Sequence, residues 1–335
     1  MPTSHMYINE YPVDIVYLWC DGADPLFVKK KEELLRKTNY APIGKDLISD
    51  VRFVEHNELL YSLRSVHKNL PWINHIFIVT DNQRPKWLKN HPQITIIDHK
   101  QIVPLNLLPT FNSCVIETYI DKIPNLSEHF LYMNDDVFIT ERLNKNDFFD
   151  ENGLPIVRIT KTKEQLVKDG MREQLETEEQ SFTTTLKRAW LTFVEKNGRP
   201  IPFDLFSHSV DAFTKTIFKK VLDKYPEVLL ANVFPFRNCK EIQRLLFTYE
   251  MIHCLGCPSK NILHLTFWNR LTNKIWPREV WTMNRSSLKV IKRNLKTYRP
   301  KTLCVNRIDE PDAFNELFSA LFPQKAPWEV DVNRK

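Results

Sequence analysis

Four carboxylates at the ends of two apolar segments are the first residues in this chain whose types and spacing suggest chemistry. Asn134-Asp135-Asp136 interrupts what would otherwise be one buried run, between Phe130-Leu131-Tyr132-Met133 and Val137-Phe138-Ile139. A buried charge is costly unless it is paired or used. Side chains alternate along a strand, so Asn134 and Asp136 face one way and Asp135 the other unless the chain turns there. With a turn, both carboxylates approach one hard cation. Magnesium takes oxygen ligands, keeps some of its waters, and commonly bridges one or two carboxylates to substrate phosphates. A polar β-turn capped by the Asp side chains is the alternative. Asp21-Gly22-Ala23-Asp24-Pro25 adds two carboxylates around a glycine that lets backbone approach a ligand closely, or forms an ordinary turn.

Two single polar residues stand in aromatic surroundings: His208, in Phe206-Ser207-His208-Ser209, and Arg237, in Phe234-Pro235-Phe236-Arg237-Asn238. Histidine can accept a proton near neutral pH, and arginine offers a planar fork matched to phosphate oxygens. A structural histidine is the plainer alternative. Leu108-Pro109-Thr110-Phe111-Asn112-Ser113 can open a helix that reaches Glu117, with Asn112 or Ser113 as its cap. With six glycines and no Walker-type loop, a P-loop or dinucleotide fingerprint is excluded. Cys254 and Cys257 have C-x-x-C spacing with His253 and His264 nearby, but free, partly buried thiols are the preferred reading over zinc.

These groups need elements to hold them. Asp14–Trp19, Ile76–Thr80, Ile94–Ile97 and Phe130–Met133 are short, rich in β-branched and aromatic residues, and bounded by Asp, Asn, Gly or Pro, which predicts buried strands. Between the first two, Leu59, Leu60, Leu63, Val66 and Leu70 recur at helical spacing behind Asn57, a candidate cap. This alternation predicts an α/β layer structure with a largely parallel sheet. Ligands of such sheets bind beyond the carboxyl ends of the strands, where three polar clusters fall: 20–24, 81–83 and 134–136. Lys161–Gln180 is strongly charged and contains Gly170, so it reads as an exposed helical excursion or a flap; Ser181–Lys220 reads as helical. From Ile262 onward the chain is aromatic, basic and irregular.

The 335 residues are 42% hydrophobic and 26% charged, ordinary for a globular protein with a sizeable core, and no repeat or Gly/Ser linker divides them. A net charge of +6 favours phosphate-bearing partners mildly and demands no nucleic acid. Lys289–Lys301 is basic enough to meet an anionic polymer or a membrane's inner face, or to be a solvated surface. No run approaches the roughly 20 apolar residues of a membrane span, and no signal-peptide pattern is visible, so a cytoplasmic location is expected.

The motifs, taken together, resemble the Stealth family of sugar-phosphate transferases, which includes bacterial capsule phosphotransferases and the animal lysosomal-enzyme N-acetylglucosamine-1-phosphotransferase. One block runs from Asp14 to Pro25. A longer one runs from Arg52 through Glu58–Ser65, Pro71-Trp72, Ile76–Gln83, Leu108–Ser113 and Leu126–Phe130 to Asn134-Asp135-Asp136. A third fits around His208, Lys215 and Phe236-Arg237; a fourth begins at Leu303-Cys304-Val305-Asn306, where Arg307 replaces the usual Asp.

The resemblance implies one catalytic domain over residues 7–335 with a helical insertion at about 160–200. Its fold would be Rossmann-like, a GT-A-like nucleotide-sugar-binding sheet with helices on both faces. It further implies magnesium or manganese, a UDP-sugar donor (UDP-N-acetylhexosamine or a relative) and a glycan or polysaccharide acceptor. The reaction would make a phosphodiester and release UMP, in bacterial capsule or surface-polysaccharide synthesis. Asp135 and Asp136 would form the metal and diphosphate site with Asn134 beside them, His208 would be the base, and Arg237 the phosphate clamp. Asp21, Asp24, Arg64, Asn112 and Glu117 would line the donor and acceptor pocket. Peripheral contact with membrane-bound capsule machinery on the inner membrane is a secondary expectation. Two alternatives stand: a metal-dependent GT-A glycosyltransferase releasing UDP, and a non-catalytic polysaccharide-binding protein using Phe267-Trp268 and Trp276.

Overall fold

A computed structural model describes residues 10–38, 53–162, 164–177, 181–262, 280–283, 292–293, 295–296, 300–305, 308 and 310–330. Arg52, His264, Phe267, Trp268, Trp276, Asn306, Arg307 and most of Lys289–Lys301 lie outside the described residues.

In chain order the elements are β1 (Val13–Leu18), α1 (Pro25–Thr38), α2 (Glu58–Asn69), β2 (Ile76–Thr80), β3 (Ile94–Asp98), α3 (Ser113–Glu117), β4 (His129–Asn134), β5 (Val137–Ile139) and β6 (Val157–Thr160). The chain continues with α4 (Met171–Thr177), α5 (Phe182–Asn197), β7 (Leu205–Phe206), β8 (Asp211–Thr214), α6 (Lys215–Lys224) and α7 (Glu227–Ala231). It ends with α8 (Leu245–His253), β9 (Ser259–Asn261), β10 (Val280–Met283), β11 (Thr302–Val305) and α9 (Pro311–Leu321). The central sheet has the order β3-β2-β1-β4-β8, parallel throughout except for the antiparallel β4–β8 pair.

Period-2 alternation splits the sheet residues between two cores. Val13, Ile15 and Tyr17 of β1, Ile76 and Ile78 of β2, and Leu131 and Met133 of β4 pack with Leu59, Leu63 and Val66 of α2 and with Leu70, which caps its end. Val16, Phe77, Val79, Phe130 and Tyr132 point the other way, onto Trp190, Phe193 and Val194 of α5, Phe218 of α6 and Phe247 of α8. The fold is therefore α/β with helices on both faces of a parallel-rich sheet, as the strand and helix alternation predicts. The strand order reverses beside β1: the chain moves outward to β2 and β3, then returns to place β4 on the other flank. The crevice at the carboxyl ends of β1 and β4 is thus a topological switch point, where ligands of such sheets bind.

Several sequence expectations are corrected. Among the strands expected to be buried, β3 is partly exposed, because it forms an edge of the sheet. Asn57 does stand at the start of α2, but in the left-handed region (φ 71°), and its side chain makes no cap bond; its Nδ2 donates to Asn315 instead (2.8 Å). Ser181–Lys220 is not continuously helical: α5 ends at Gly198 in the left-handed conformation, and β7 and β8 follow. Gly170 (φ 73°) precedes α4 and does not break it, and Met171 and Leu175 of that helix are buried despite the charged surroundings.

Candidate active site

A cleft of about 210 Å³ opens at the carboxyl ends of β1, β2 and β4, and its lining includes Trp19, Cys20, Phe111, Ser113, Tyr132, Asn134, Asp135 and Arg237. β4 stops at Asn134, residues 135–136 turn, and β5 departs into a second sheet, where it pairs antiparallel with β11. The turn separates the two carboxylates. Asp135 lines the cleft, while Asp136 meets Cys304, whose thiol donates to Oδ2 (3.4 Å), and the Val305 amide donates to its carbonyl (3.0 Å). Asp136, His208 and Cys304 each offer a ligand atom within 4.8 Å of one another.

The electrostatics of this corner are those of crowded like charge. Burial, then Asp136, Glu58 and Glu55, push Asp135 well above the usual carboxylate range. Asp136 is also raised by burial, against the opposing influence of His208 and Cys304. Glu58, at the start of α2, is pushed up to about 7, first by burial and then by Glu55 and Asp136. Asp136 Oδ1 is buried with no protein partner. A carboxylate oxygen, a ring nitrogen and a thiol at this spacing are a donor set that can take a divalent cation, and Asp135, turned toward the cleft, stands outside that group.

Arg237 reaches the cleft from the loop before α8. Its Nη1 donates to Cys114 Sγ (3.1 Å) and its Nη2 to Ser113 Oγ, so the first turn of α3 orients the guanidinium. Burial works against its charge, but Cys114, Glu117 and Glu241 more than offset this. Asn112 builds the seat. Fully buried, it caps α3 by accepting from Cys114 N (3.1 Å), and its Nδ2 donates to the carbonyl oxygens of Phe234 (2.9 Å) and Phe236 (3.2 Å). Phe111 stacks on Phe236 with ring centroids 5.4 Å apart.

His208 sits between β7 and β8, with Nε2 3.2 Å from the Asn134 amide. Behind Asn134 the Tyr132 hydroxyl lies 3.1 Å from its Oδ1 and 3.1 Å from Glu117 Oε1, and Arg244 Nε donates to Glu117 Oε2 (2.8 Å). Arg244 also pairs with Asp211, and its guanidinium lies between the rings of Tyr132 (4.5 Å) and Phe206 (5.0 Å). Burial raises Glu117, but Arg244 and Arg237 overcome this and hold it below the usual carboxylate range.

The sequence-predicted residues thus divide. Asn134, Asp135 and Arg237 line the cleft; Asp136 and His208 adjoin it through Asn134 and the turn; Asn112 and Glu117 support it from behind. Asp24 caps α1 through Leu26 N (2.7 Å) and Phe27 N (3.1 Å), and Asp21 Oδ1 closes a turn on Ala23 N (2.9 Å), so both carboxylates have structural partners outside the cleft lining. Gly22 is required by close approach, since a Cβ there would lie 2.3 Å from Phe53 O. Arg64 does not line the cleft. It makes a two-pronged pair with Glu329 (2.8 and 2.6 Å) and donates to Phe322 O (3.1 Å), which ties α2 to the chain after α9. Tyr132, Arg244 and Cys304 were not singled out from sequence as site residues.

Residues 52–157 match conserved region 2 of Stealth proteins, the stretch that holds α2, β2, β4, Asn134, Asp135 and Asp136. The chain is 38% identical over 255 residues to a capsular polysaccharide phosphotransferase of Haemophilus influenzae, covering 74% of this chain and 67% of that one. The chain belongs to the Stealth family. A Neisseria meningitidis capsular polysaccharide phosphotransferase is 44% identical over 155 residues, 45% of this chain and 41% of that one. Among solved structures, a galactosyltransferase, LgtC, in complex with donor and acceptor sugar analogs superposes at a TM-score of 0.39 with 11% identity, over 92% of this chain and 95% of that one. In this Stealth chain no described helix is long and apolar enough to cross a membrane. The only His/Cys/carboxylate group of metal-ligand geometry among the described residues is Asp136, His208 and Cys304; Cys254 is exposed and Cys257 buried.

Proposed function

We propose that this chain is one catalytic unit, residues 7–335. It transfers a hexose-1-phosphate, N-acetylhexosamine-1-phosphate being the expected unit, from a UDP-sugar to a sugar hydroxyl of a capsule or surface polysaccharide. The bond made is a phosphodiester and the nucleotide leaves as UMP. The observation that carries this reading is the convergence of Asp135 and Arg237 on one cleft at the β1/β4 switch point, with His208 joined to the same strand end through Asn134. Relatives named as capsular polysaccharide phosphotransferases support it.

Phosphoryl transfer leaves little covalent work for a protein; positioning and charge neutralisation supply most of the acceleration. Asp135 and Asp136 are the residues that would hold a divalent cation, whose chemistry when bound is to neutralise a diphosphate. Arg237, already oriented by Ser113 and Cys114, presents its guanidinium to the oxygens of the transferred phosphate. His208 takes the proton of the acceptor hydroxyl. The test is to incubate the protein with a panel of UDP-sugars, magnesium and capsule oligosaccharide acceptors and to read products by phosphorus NMR. A phosphodiester resonance together with UMP is expected. UDP with no new phosphodiester would replace this reading with a conventional glycosyltransferase.

A further inference from the structure

Tyr132 has one hydroxyl proton and two neighbours that both present acceptor oxygens. Its oxygen lies 3.1 Å from Glu117 Oε1 and 3.1 Å from Asn134 Oδ1, while Asn134 Nδ2 faces His208 Nε2 at 3.2 Å. Glu117 is paired with Arg244 at 2.8 Å through its other oxygen, so it is a carboxylate and can only accept. The phenol proton therefore goes to Glu117. The Tyr132 oxygen is then left as an acceptor and needs a donor from Asn134. The two ends of an asparagine amide have equal shape, and which way it points is settled by its partners. A half-turn of the Asn134 amide gives every group a partner: Nδ2 donates to the Tyr132 oxygen, and Oδ1 accepts from His208 Nε2–H. Kept the other way, one oxygen–oxygen contact beside the buried Tyr132 and Glu117 lacks a proton.

We propose that Glu117, paired with Arg244, fixes the tautomer of His208 through Tyr132 and Asn134, placing the neutral ring's proton on Nε2 and leaving Nδ1 as the nitrogen that can accept one. Tyr132, Glu117 and Arg244 are positioning residues in this relay, acting on His208 through Asn134. That Nδ1 receives the acceptor hydroxyl's proton rests on the proposed transfer; the tautomer itself does not. The relay also gives the short, polar end of β4 a reason to hold a buried tyrosine beside a salt bridge, an arrangement that packing alone does not call for.

The tautomer is read directly by nitrogen-15 NMR of the imidazoles in the full chain with magnesium present, at a pH where His208 is neutral, with its signals assigned by their loss in His208→Gln. The expected spectrum shows a single tautomer, with a pyrrole-type shift and an attached proton at Nε2 and a pyridine-type shift at Nδ1. In Tyr132→Phe the Asn134 amide is released from its phenol partner and the Nδ1–H form should gain population. Nδ1–H in the wild type, or an unchanged tautomer ratio in a folded Tyr132→Phe, would overturn the proposal. If Tyr132→Phe does not fold, the wild-type spectrum alone decides. Activity assays are not needed for any of these outcomes, so a failure here is distinguishable from a failure of the phosphotransferase reading.

Discussion

Replacing Arg244 with methionine keeps much of the side chain's length and its contact with the rings of Tyr132 and Phe206, and removes only the charge and its hydrogen bonds. The Arg244 side chain is 12% exposed and serves two carboxylates that are themselves nearly closed to solvent, Glu117 and Asp211. Breaking a buried pair by deleting one partner costs about 3–5 kcal/mol, because a charge is left behind in a poor medium. Packing adds little, since a swap of similar volume usually costs less than about 1.5 kcal/mol. The expected loss at pH 7 is therefore roughly 3–5 kcal/mol. Its pH dependence has a definite sign. In the wild type Glu117 titrates below the ordinary carboxylate range, so its contribution is present above about 4.3, the unfolded value, and disappears only as pH falls below that. Asp211 is already raised by burial in spite of Arg244, and without Arg244 it rises further while Glu117 keeps only Arg237 against its burial, so the folded variant binds more protons than the wild type does. Its deficit should shrink as pH falls from 7 toward 5. Guanidinium unfolding at the two pH values, followed by the fluorescence of the eight tryptophans, measures this. A loss under about 1 kcal/mol at pH 7, or a loss that grows at pH 5, would refute the assigned charge network.

Magnesium should raise the unfolding temperature of the wild type by mass action, and Asp135→Asn or Asp136→Asn should abolish both that shift and turnover while remaining folded, because each removes one of two crowded carboxylates. Arg237→Ala should lower kcat about 10²- to 10³-fold, the usual loss for one preorganised donor to developing charge; a near-wild-type kcat would remove it from phosphate binding. Arg64→Met should destabilise the fold by about 3 kcal/mol and leave KM for the UDP-sugar within about twofold, since its partners are Glu329 and Phe322 O; a large rise in KM would return it to the donor pocket.

How legible all this was in the sequence depended on how local each determinant is. Ile76–Thr80 was read to the residue, because a β-branched run bounded by polar residues carries its own signal. The Asn112 cap and the helix to Glu117 were legible for the same reason. The turn at Asp135-Asp136 was visible as an interruption, but not the partners it acquires: Cys304 follows Asp136 by 168 residues, and no local pattern announces that contact. Strands β7 and β8 were absorbed into a helical reading because two and four residues are too few to show alternation, and their identity comes from pairing with β6 and β4. Arg64 misled because a charged residue on a helix next to site residues can face either way; here it faces the C-terminal segment. Arg244 and Tyr132 gave no signal at all, since a buried arginine is recognisable only once its two carboxylates and two rings are seen around it.

The central claim is that the acceptor oxygen attacks phosphorus and not the anomeric carbon, and the fate of the β-phosphorus tests it most directly. With a UDP-sugar labelled at that atom, together with magnesium and a capsule oligosaccharide acceptor, the label should pass into the polysaccharide as a phosphodiester while unlabelled UMP accumulates in step. Recovery of the whole label in UDP, with turnover that depends on the acceptor, would contradict the account.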